Sequence, residues 1–323
     1  MLSNIKRVSF KYKNNKAWYY AKNYIRQRIP GVIYRRKLSK MLGSLDNYDK
    51  EYIQNRVNYY NRLEDVQHIP DAEAVSLSNF KLKDHFKVYF FDAFEYTRYF
   101  SKELKTCPLF GDITHIPDTP SLTKSRPVEG DNKNSVILKL EKIRHFLFLK
   151  DKKRFEEKKN MIVFRGKVRQ EHRIRFLELY YDKHPMCDLG QVNRSADTKY
   201  PAKRLTIGEH LDYKFILSLE GNDVASNLKW VMSSNSLAVM PKPKYETWFM
   251  EGILIPNYHY VQIKDDYSDL EERLNYYIEH PAEAQQIIEN AHRYIDQFRD
   301  KKREDLINLL VLKKYFEKTG QSV

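Results

Sequence analysis

Between residues 213 and 263 the chain alternates short apolar runs with stretches whose apolar residues recur at helical spacing. Phe215, Ile216, Leu217 and Leu219 form the first run, and Gly221 closes it. Asn222 and Asp223 then suit a helix N-cap, with Val224, Leu228, Val231 and Met232 along one face. A second run, residues 237–240, stops at Pro241, and a third, residues 260–263, follows a helix-like piece around Trp248 and Phe249. Upstream, residues 161–164 read as a strand ending in Arg165-Gly166-Lys167, followed by a helix over 170–181 and a strand at 186–189. Strands that alternate with helices predict a parallel sheet covered on both faces. Ligands in such folds sit outside the carboxyl ends of the strands, where helix N-termini attract anions.

The first half carries weaker periodicity. Residues 16–29 predict a short amphipathic helix ended by Pro30, and 46–70 read as helical. Residues 85–92 (HFKVYFFD) predict a buried strand, with the next ten residues helical, which suggests a second α/β unit. Residues 107–135 predict a long loop and 136–147 an amphipathic helix carrying Val136, Ile137, Leu140, Ile143 and Leu147. The charged run 151–160 is a candidate boundary. Helices close the chain: 268–277 behind a Ser268-to-Glu271 capping box, 281–295 behind Pro281, and 306–315. The expected divisions are an arm at 1–45, an acceptor-side α/β domain at 46–158, a nucleotide-binding domain at 159–300 and a last helix at 301–323.

Charge sharpens this division. The net charge is +14, yet residues 1–45 alone hold twelve Lys or Arg and no Asp or Glu, so the remaining 278 carry only +2 of the excess. A near-neutral body with a basic arm is thereby expected. The arm, with Trp18, Tyr20 and Tyr24 among its cations, reads as a segment lying on an anionic membrane, as a helix packed on the body, or as a nucleic-acid contact. Confinement of the charge disfavours the last, and no nucleic-acid partner is expected. Cys107 and Cys187 form no disulfide framework, and no apolar run approaches the roughly 18 residues of a membrane span. A cytoplasmic protein attached peripherally to the inner membrane face is the resulting expectation.

Two stretches look able to hold an anion. One is the strand, basic-glycine turn and helix with Arg165, Gly166, Lys167 and Arg169; the other runs from Gly221 through Asn222, Asp223, Ser226 and Asn227 to Lys229. No D-x-D pair occurs anywhere, and no His or Cys spacing suggests zinc, so no metal or other cofactor is expected. The loop at 107–135 offers Asp112, His115, Asp118 and Asp131 as acid–base candidates, which the residues alone do not rank. In the same loop Lys124 and Arg126 could meet an anionic acceptor, or simply pack, and Asp118 and Asp131 are expected to contact the acceptor with them.

The chain resembles the family-90 glycosyltransferases, which include animal protein O-glucosyltransferases, fungal xylosyltransferases and bacterial lipopolysaccharide core transferases. The likeness rests on Phe164-Arg165-Gly166, Tyr213-Lys214-Phe215, residues 220–230 (EGNDVASNLKW), Trp248-Phe249, Pro256 and His259-Tyr260, and is strongest toward the lipopolysaccharide branch. It implies a GT-B-like α/β fold of two Rossmann-like domains facing across a cleft, here with a basic N-terminal arm and C-terminal helices. It also implies inverting, metal-independent transfer of glucose, galactose or xylose from a UDP-sugar to a hydroxyl of a lipopolysaccharide core or other surface glycan. The leaving diphosphate would then be neutralised by cationic side chains and backbone dipoles. The family's short Asp-Ile motif assigns the general base to Asp112, and the pattern makes Glu246 and His259 donor contacts and Trp248 and Tyr260 packing residues. One departure stands out. Asn227 occupies a position where the protein O-glucosyltransferases carry arginine, and Lys229 lacks arginine's bidentate fork. A basic nucleic-acid-binding protein and an inactive scaffold are the competing classes.

Overall fold

The structure, a computed structural model, describes residues 12–83, 85–193 and 198–323. It divides into two compact units that the chain visits in turn: Met1–Asn14, His145–Pro243 and Ile253–Gln297 form the first, and Asn15–Arg144, Lys244–Gly252 and Phe298–Val323 the second.

The first unit is built on the expected parallel sheet. Its five strands lie in the order Val261–Gln262, Leu237–Met240, Tyr213–Leu217, Lys159–Gly166, Cys187–Gln191, and every neighbouring pair is parallel. All five residues of Tyr213–Leu217 are buried, as a strand covered on both faces requires. Ile162, Phe164, Phe215, Leu217 and Val239 pack with Phe176 and Leu177 of helix Glu171–Tyr180, Leu274 of Leu270–Glu279, and Ile287 and Ile288 of Pro281–Asp296. Each such side chain contributes about 1.5–3 kcal/mol of apolar burial. Pro281 opens its helix as expected. The capping box at Ser268 does not form. Ser268 instead donates to Asp266, and Asp269, the actual N-cap, accepts the Lys264 N–H at 2.8 Å.

Connectivity fixes where this sheet can hold a ligand. From Lys159–Gly166 the chain passes to Cys187–Gln191 on one side, then returns to Tyr213–Leu217 on the other and continues outward. The order reverses between Lys159–Gly166 and Tyr213–Leu217, so the crevice beyond their carboxyl ends is the switch point of the sheet.

The second unit departs from the sequence expectation. Residues 85–92 are not a strand, because Lys87–Thr97 is an α-helix with Tyr89, Phe90, Phe91, Ala93 and Tyr96 buried. Burial around most of its circumference erases polar alternation, and the aromatic run then mimics a buried strand. Residues 136–147 are likewise no helix: Ser135–Ile137 pairs in parallel with Ser121–Thr123, and a single turn, Lys142–His145, follows Glu141 at φ 54°. Among the described residues the strands of this unit pair only in twos, so it holds no counterpart of the first unit's sheet.

Its core is helical. Leu306, Leu309, Leu312 and Phe316 of helix Lys301–Lys318 are fully buried, and Tyr60 stacks on Trp248 with ring centroids 3.8 Å apart. Buried Glu304 accepts from Arg56 at 3.0 Å, Lys139 at 2.9 Å and Trp248 Nε1 at 2.6 Å. Those contacts hold its carboxyl below the usual range although burial pushes the other way.

The arm helix runs from Lys16 to Arg28, capped by Asn15, which accepts the Trp18 N–H at 2.9 Å. One face docks on helix Lys87–Thr97: Tyr19 donates to Asp92 at 2.8 Å and Arg26 to Glu95 at 2.7 Å. Trp18 and Ile25 remain exposed at 64% and 59%.

Candidate active site

At the switch point, two loops leave the sheet side by side. The first, residues 166–170, follows Lys159–Gly166; the second, residues 218–227, follows Tyr213–Leu217. Gly166 is required sterically, because a Cβ there would fall 2.4 Å from the Phe164 ring. Gly221 is not so constrained. A Cβ there would meet Arg173 only at 3.6 Å, so that loop retains room beside its backbone.

Helix Glu171–Tyr180 ties the two loops together. Arg173 donates to the Glu220 carbonyl at 2.7 Å, the Leu219 carbonyl at 2.7 Å and the Lys167 carbonyl at 2.8 Å. His172 Nε2 lies 2.8 Å from the Glu220 carbonyl, and Gln170 donates to Asn222 at 2.8 Å. A guanidinium spreading its donors over three carbonyls preorganises both loops. Sequence reasoning passed over Arg173 and His172, since lone polar residues in an amphipathic helix carry no motif.

The helix expected to open at Asn222 or Asp223 begins only at Leu228 and spans five residues, Leu228–Met232. The helix N-terminus facing this crevice is therefore that of Glu171–Tyr180, ten residues long, with Gln170 at the N-cap position but making no side-chain cap. Asn227 accordingly serves the sheet, donating to the Leu217 carbonyl at 3.0 Å. Lys229 and Asp223 are buried, Lys229 completely, so the Lys229 ammonium does not face solvent; Ser226 is half-buried and Asn222 exposed.

Arg165, Lys167 and Arg169 line a cavity of about 1020 Å³ with Lys13, Lys203, Arg204, Thr206 and His210. It is as large as the upper end of small-molecule sites, about 300–1,000 Å³. Within it Lys167 and Arg169 are exposed, whereas Arg165 acts as a brace. Its guanidinium reaches Asp188 Oδ1 at 2.5 Å, the Asp188 carbonyl at 2.8 Å and the Lys203 carbonyl at 2.8 Å. Burial works to raise the Asp188 carboxyl, but hydrogen bonds from Tyr213 and Arg165 hold it below the ordinary range. His210 is pushed down by burial and stays neutral at physiological pH.

In the second unit, Asp112 sits behind Gly111, whose φ of 135° only glycine adopts readily. Lys124 Nζ, almost fully buried, approaches Asp112 Oδ1 at 2.5 Å and Glu141 Oε2 at 3.5 Å. Tyr89 donates to Glu141 at 3.3 Å. The Asp112 side chain keeps 27% of its surface exposed, so it is both oriented and reachable. Lys124 thus orients Asp112 rather than facing solvent. Arg126 has no exposure: it donates to Glu246 at 2.7 Å, to the Tyr59 carbonyl at 2.6 Å and to the Ser135 carbonyl at 3.2 Å. Glu246 is its buried partner, on the strand Tyr245–Thr247 that pairs with Ser125–Pro127. Asp118 and Asp131 are exposed, Asp131 against Lys133 at 3.1 Å. His259, in the first unit, accepts the Ile255 N–H at 2.9 Å, and burial lowers its pKa. Trp248 and Tyr260 are buried packing residues.

In an open parallel sheet, the crevice at the switch point is where a ligand sits. Comparison with known proteins is more specific. The family model for glycosyl transferase family 90 matches residues 136–315, and the chain belongs to that family. It is 41% identical over 312 residues to O-glucosyltransferase LpsA of Dichelobacter nodosus, covering 94% of this chain and 97% of that one. It is also 26% identical over 161 residues to protein O-glucosyltransferase 3 of Homo sapiens, covering 48% of this chain and 31% of that one. The protein is a glycosyltransferase related to O-glucosyltransferase LpsA.

Proposed function

We propose that the protein transfers glucose from UDP-glucose, with inversion and without a metal ion, to a hydroxyl of a lipopolysaccharide core or similar surface glycan. Galactose and xylose are the competing donor sugars; glucose is favoured by the name of the bacterial O-glucosyltransferase that matches nearly the whole chain. The observation that carries the reading is the loop after Lys159–Gly166, where exposed Lys167 and Arg169 line a large cavity and the chain then enters helix Glu171–Tyr180. Positive charge and oriented N–H groups there would neutralise a departing diphosphate. Asp112 is the proposed base, taking the proton of the acceptor hydroxyl as that oxygen attacks C1 of the donor sugar and the C1–phosphate bond breaks. The GT-B architecture implied by the resemblance belongs to this proposal.

Association with the inner face of the cytoplasmic membrane is part of the same reading. It is supported by Trp18, Ile25, Val32 and Ile33, all exposed on a segment rich in Lys and Arg. No described helix is long and apolar enough to cross a membrane.

Thermal-shift and calorimetric titration with UDP-glucose, UDP-galactose and UDP-xylose tests the donor assignment. UDP-glucose should bind with slow hydrolysis to UDP, and Lys167→Ala with Arg169→Ala should weaken binding by about tenfold or more, or about 1.4 kcal/mol. No response to any UDP-sugar would overturn the donor class. Binding without hydrolysis or transfer would instead support the scaffold reading.

A further inference from the structure

The second unit contains an aromatic cavity of about 310 Å³, lined by Phe80, Phe86, Phe90 and Phe110 with Lys81 and Lys83 among its other lining residues. It lies outside the segment matched by the family model. Three observations set it apart from an ordinary gap in packing. First, Phe86 is exposed at 46% and adopts φ 58°, ψ 27°, a left-handed backbone that costs a non-glycine residue on the order of 1 kcal/mol or more. Strain that keeps a large aromatic ring partly in water marks a ligand-facing position more readily than a core one.

Second, the cavity adjoins Asp112. A Cβ placed on Gly111 would lie 3.8 Å from the Phe86 ring, and Gly111 is the residue before Asp112. Phe110, a wall residue, stacks on Tyr89 at 5.6 Å and 30°; Lys124, which holds Asp112, lies 5.9 Å from the Tyr89 ring centroid. Third, Lys81, Lys83 and His85 are exposed and line the same cavity. Aromatic walls suit the C–H face of a pyranose ring, while clustered ammonium groups select an anionic substituent on it.

We propose that this cavity is an acceptor subsite that binds a pyranose bearing a phosphate or a carboxylate, stacked on Phe86 with its anion toward Lys81 and Lys83. The assignment rests on the reading of Asp112 as the base that serves the acceptor. It explains why an aromatic ring is held open beside that carboxylate.

The test is direct binding to the full-length protein of three defined probes: methyl glucopyranoside, its 6-phosphate, and the methyl glycoside of glucuronic acid. Saturation-transfer NMR and calorimetry provide the readout. Both anionic probes, or one of them, should bind more tightly than the neutral glycoside, and the better of the two identifies phosphate or carboxylate as the substituent. Phe86→Ala should weaken that binding about tenfold, the scale of a lost aromatic contact, and Phe86→Trp should restore it. Lys81→Ala with Lys83→Ala should abolish the preference for the anionic probes. Because these side chains are exposed, an unchanged melting temperature serves as the folding control.

Absence of glycoside binding, equal affinity for the neutral and charged probes, or indifference to Phe86→Ala overturns the subsite. The two readings fail separately. A wild-type protein that hydrolyses UDP-glucose yet binds no glycoside sinks the subsite alone, whereas glycoside binding without any response to UDP-sugars sinks the donor assignment alone.

Discussion

The short contact between Lys124 and Asp112 sets what each residue of the loop can do. An ammonium at 2.5 Å, itself buried, cannot also capture a soluble anion, so its role is to aim the carboxylate. Asp112→Asn preserves shape and hydrogen bonding but cannot accept a proton. It should lower transfer by about 10² to 10⁴ while leaving the UDP dissociation constant within error, measured by coupled UDP release and calorimetry. Equal turnover in the variant would remove Asp112 from the mechanism. Arg126 teaches the complementary lesson. Its sequence setting, Ser125-Arg126-Pro127 in a polar loop, allowed either an anion-facing or a packed cation, and the structure takes the packed one: the guanidinium is consumed by Glu246 and backbone carbonyls. Residue type told which groups carry charge; only the partner 120 positions away told that this charge faces inward. Arg173 shows the reverse, an unremarked helical residue that holds both loops of the crevice.

Among the elements, the arm helix follows the packing reading while leaving two apolar side chains on its outer face. Lys16–Arg28 packs on Lys87–Thr97 through Tyr19 and Arg26, and still exposes Trp18 and Ile25. Deleting it would strip Asp92 of Tyr19 and Glu95 of Arg26, so point substitutions make the cleaner probe. Trp18→Ser with Ile25→Ser should lower binding to anionic vesicles in a sedimentation assay without altering the melting temperature; unchanged binding would reduce the arm to packing. Glu95 gives this element a pH signature. Burial opposes its charge, but Lys142 and Arg26 outweigh burial and carry its pKa from 4.5 to about 2. A depressed carboxylate contributes stability above its unfolded pKa and loses it as pH falls toward the folded value. Glu95→Gln should therefore cost at most about 3 kcal/mol at pH 7, and the gap to wild type should close between about pH 5 and 2 in denaturant titrations. A gap constant over that range would deny the linkage. The misassigned strand at 85–92 belongs at this scale too. Propensity favours extended structure for such an aromatic, β-branched run, and tertiary burial overrode it.

For the whole molecule, the absence of any D-x-D pair in the sequence leads to a prediction about activity as such. Transfer should persist in excess EDTA, with no stimulation by Mn²⁺, in an assay of UDP release; loss on chelation with rescue by metal would overturn the cation-based account of the leaving group. What the sequence determined by itself is local and periodic. The five strands, the helices Glu171–Tyr180 and Pro281–Asp296, the glycine turn after Phe164 and the family were legible because a buried strand needs an unbroken apolar run and a tight turn needs glycine. Only the tertiary structure decided that helix Lys301–Lys318 returns to pack with segments near the start of the chain. It also decided that Glu304 joins Arg56, Lys139 and Trp248, and that Phe86 stands open beside Gly111. Those outcomes depend on which distant groups can satisfy a buried charge or fill a volume. A linear pattern does not encode that pairing, because the cost of an unmet charge or an empty space is set by neighbours far away along the chain.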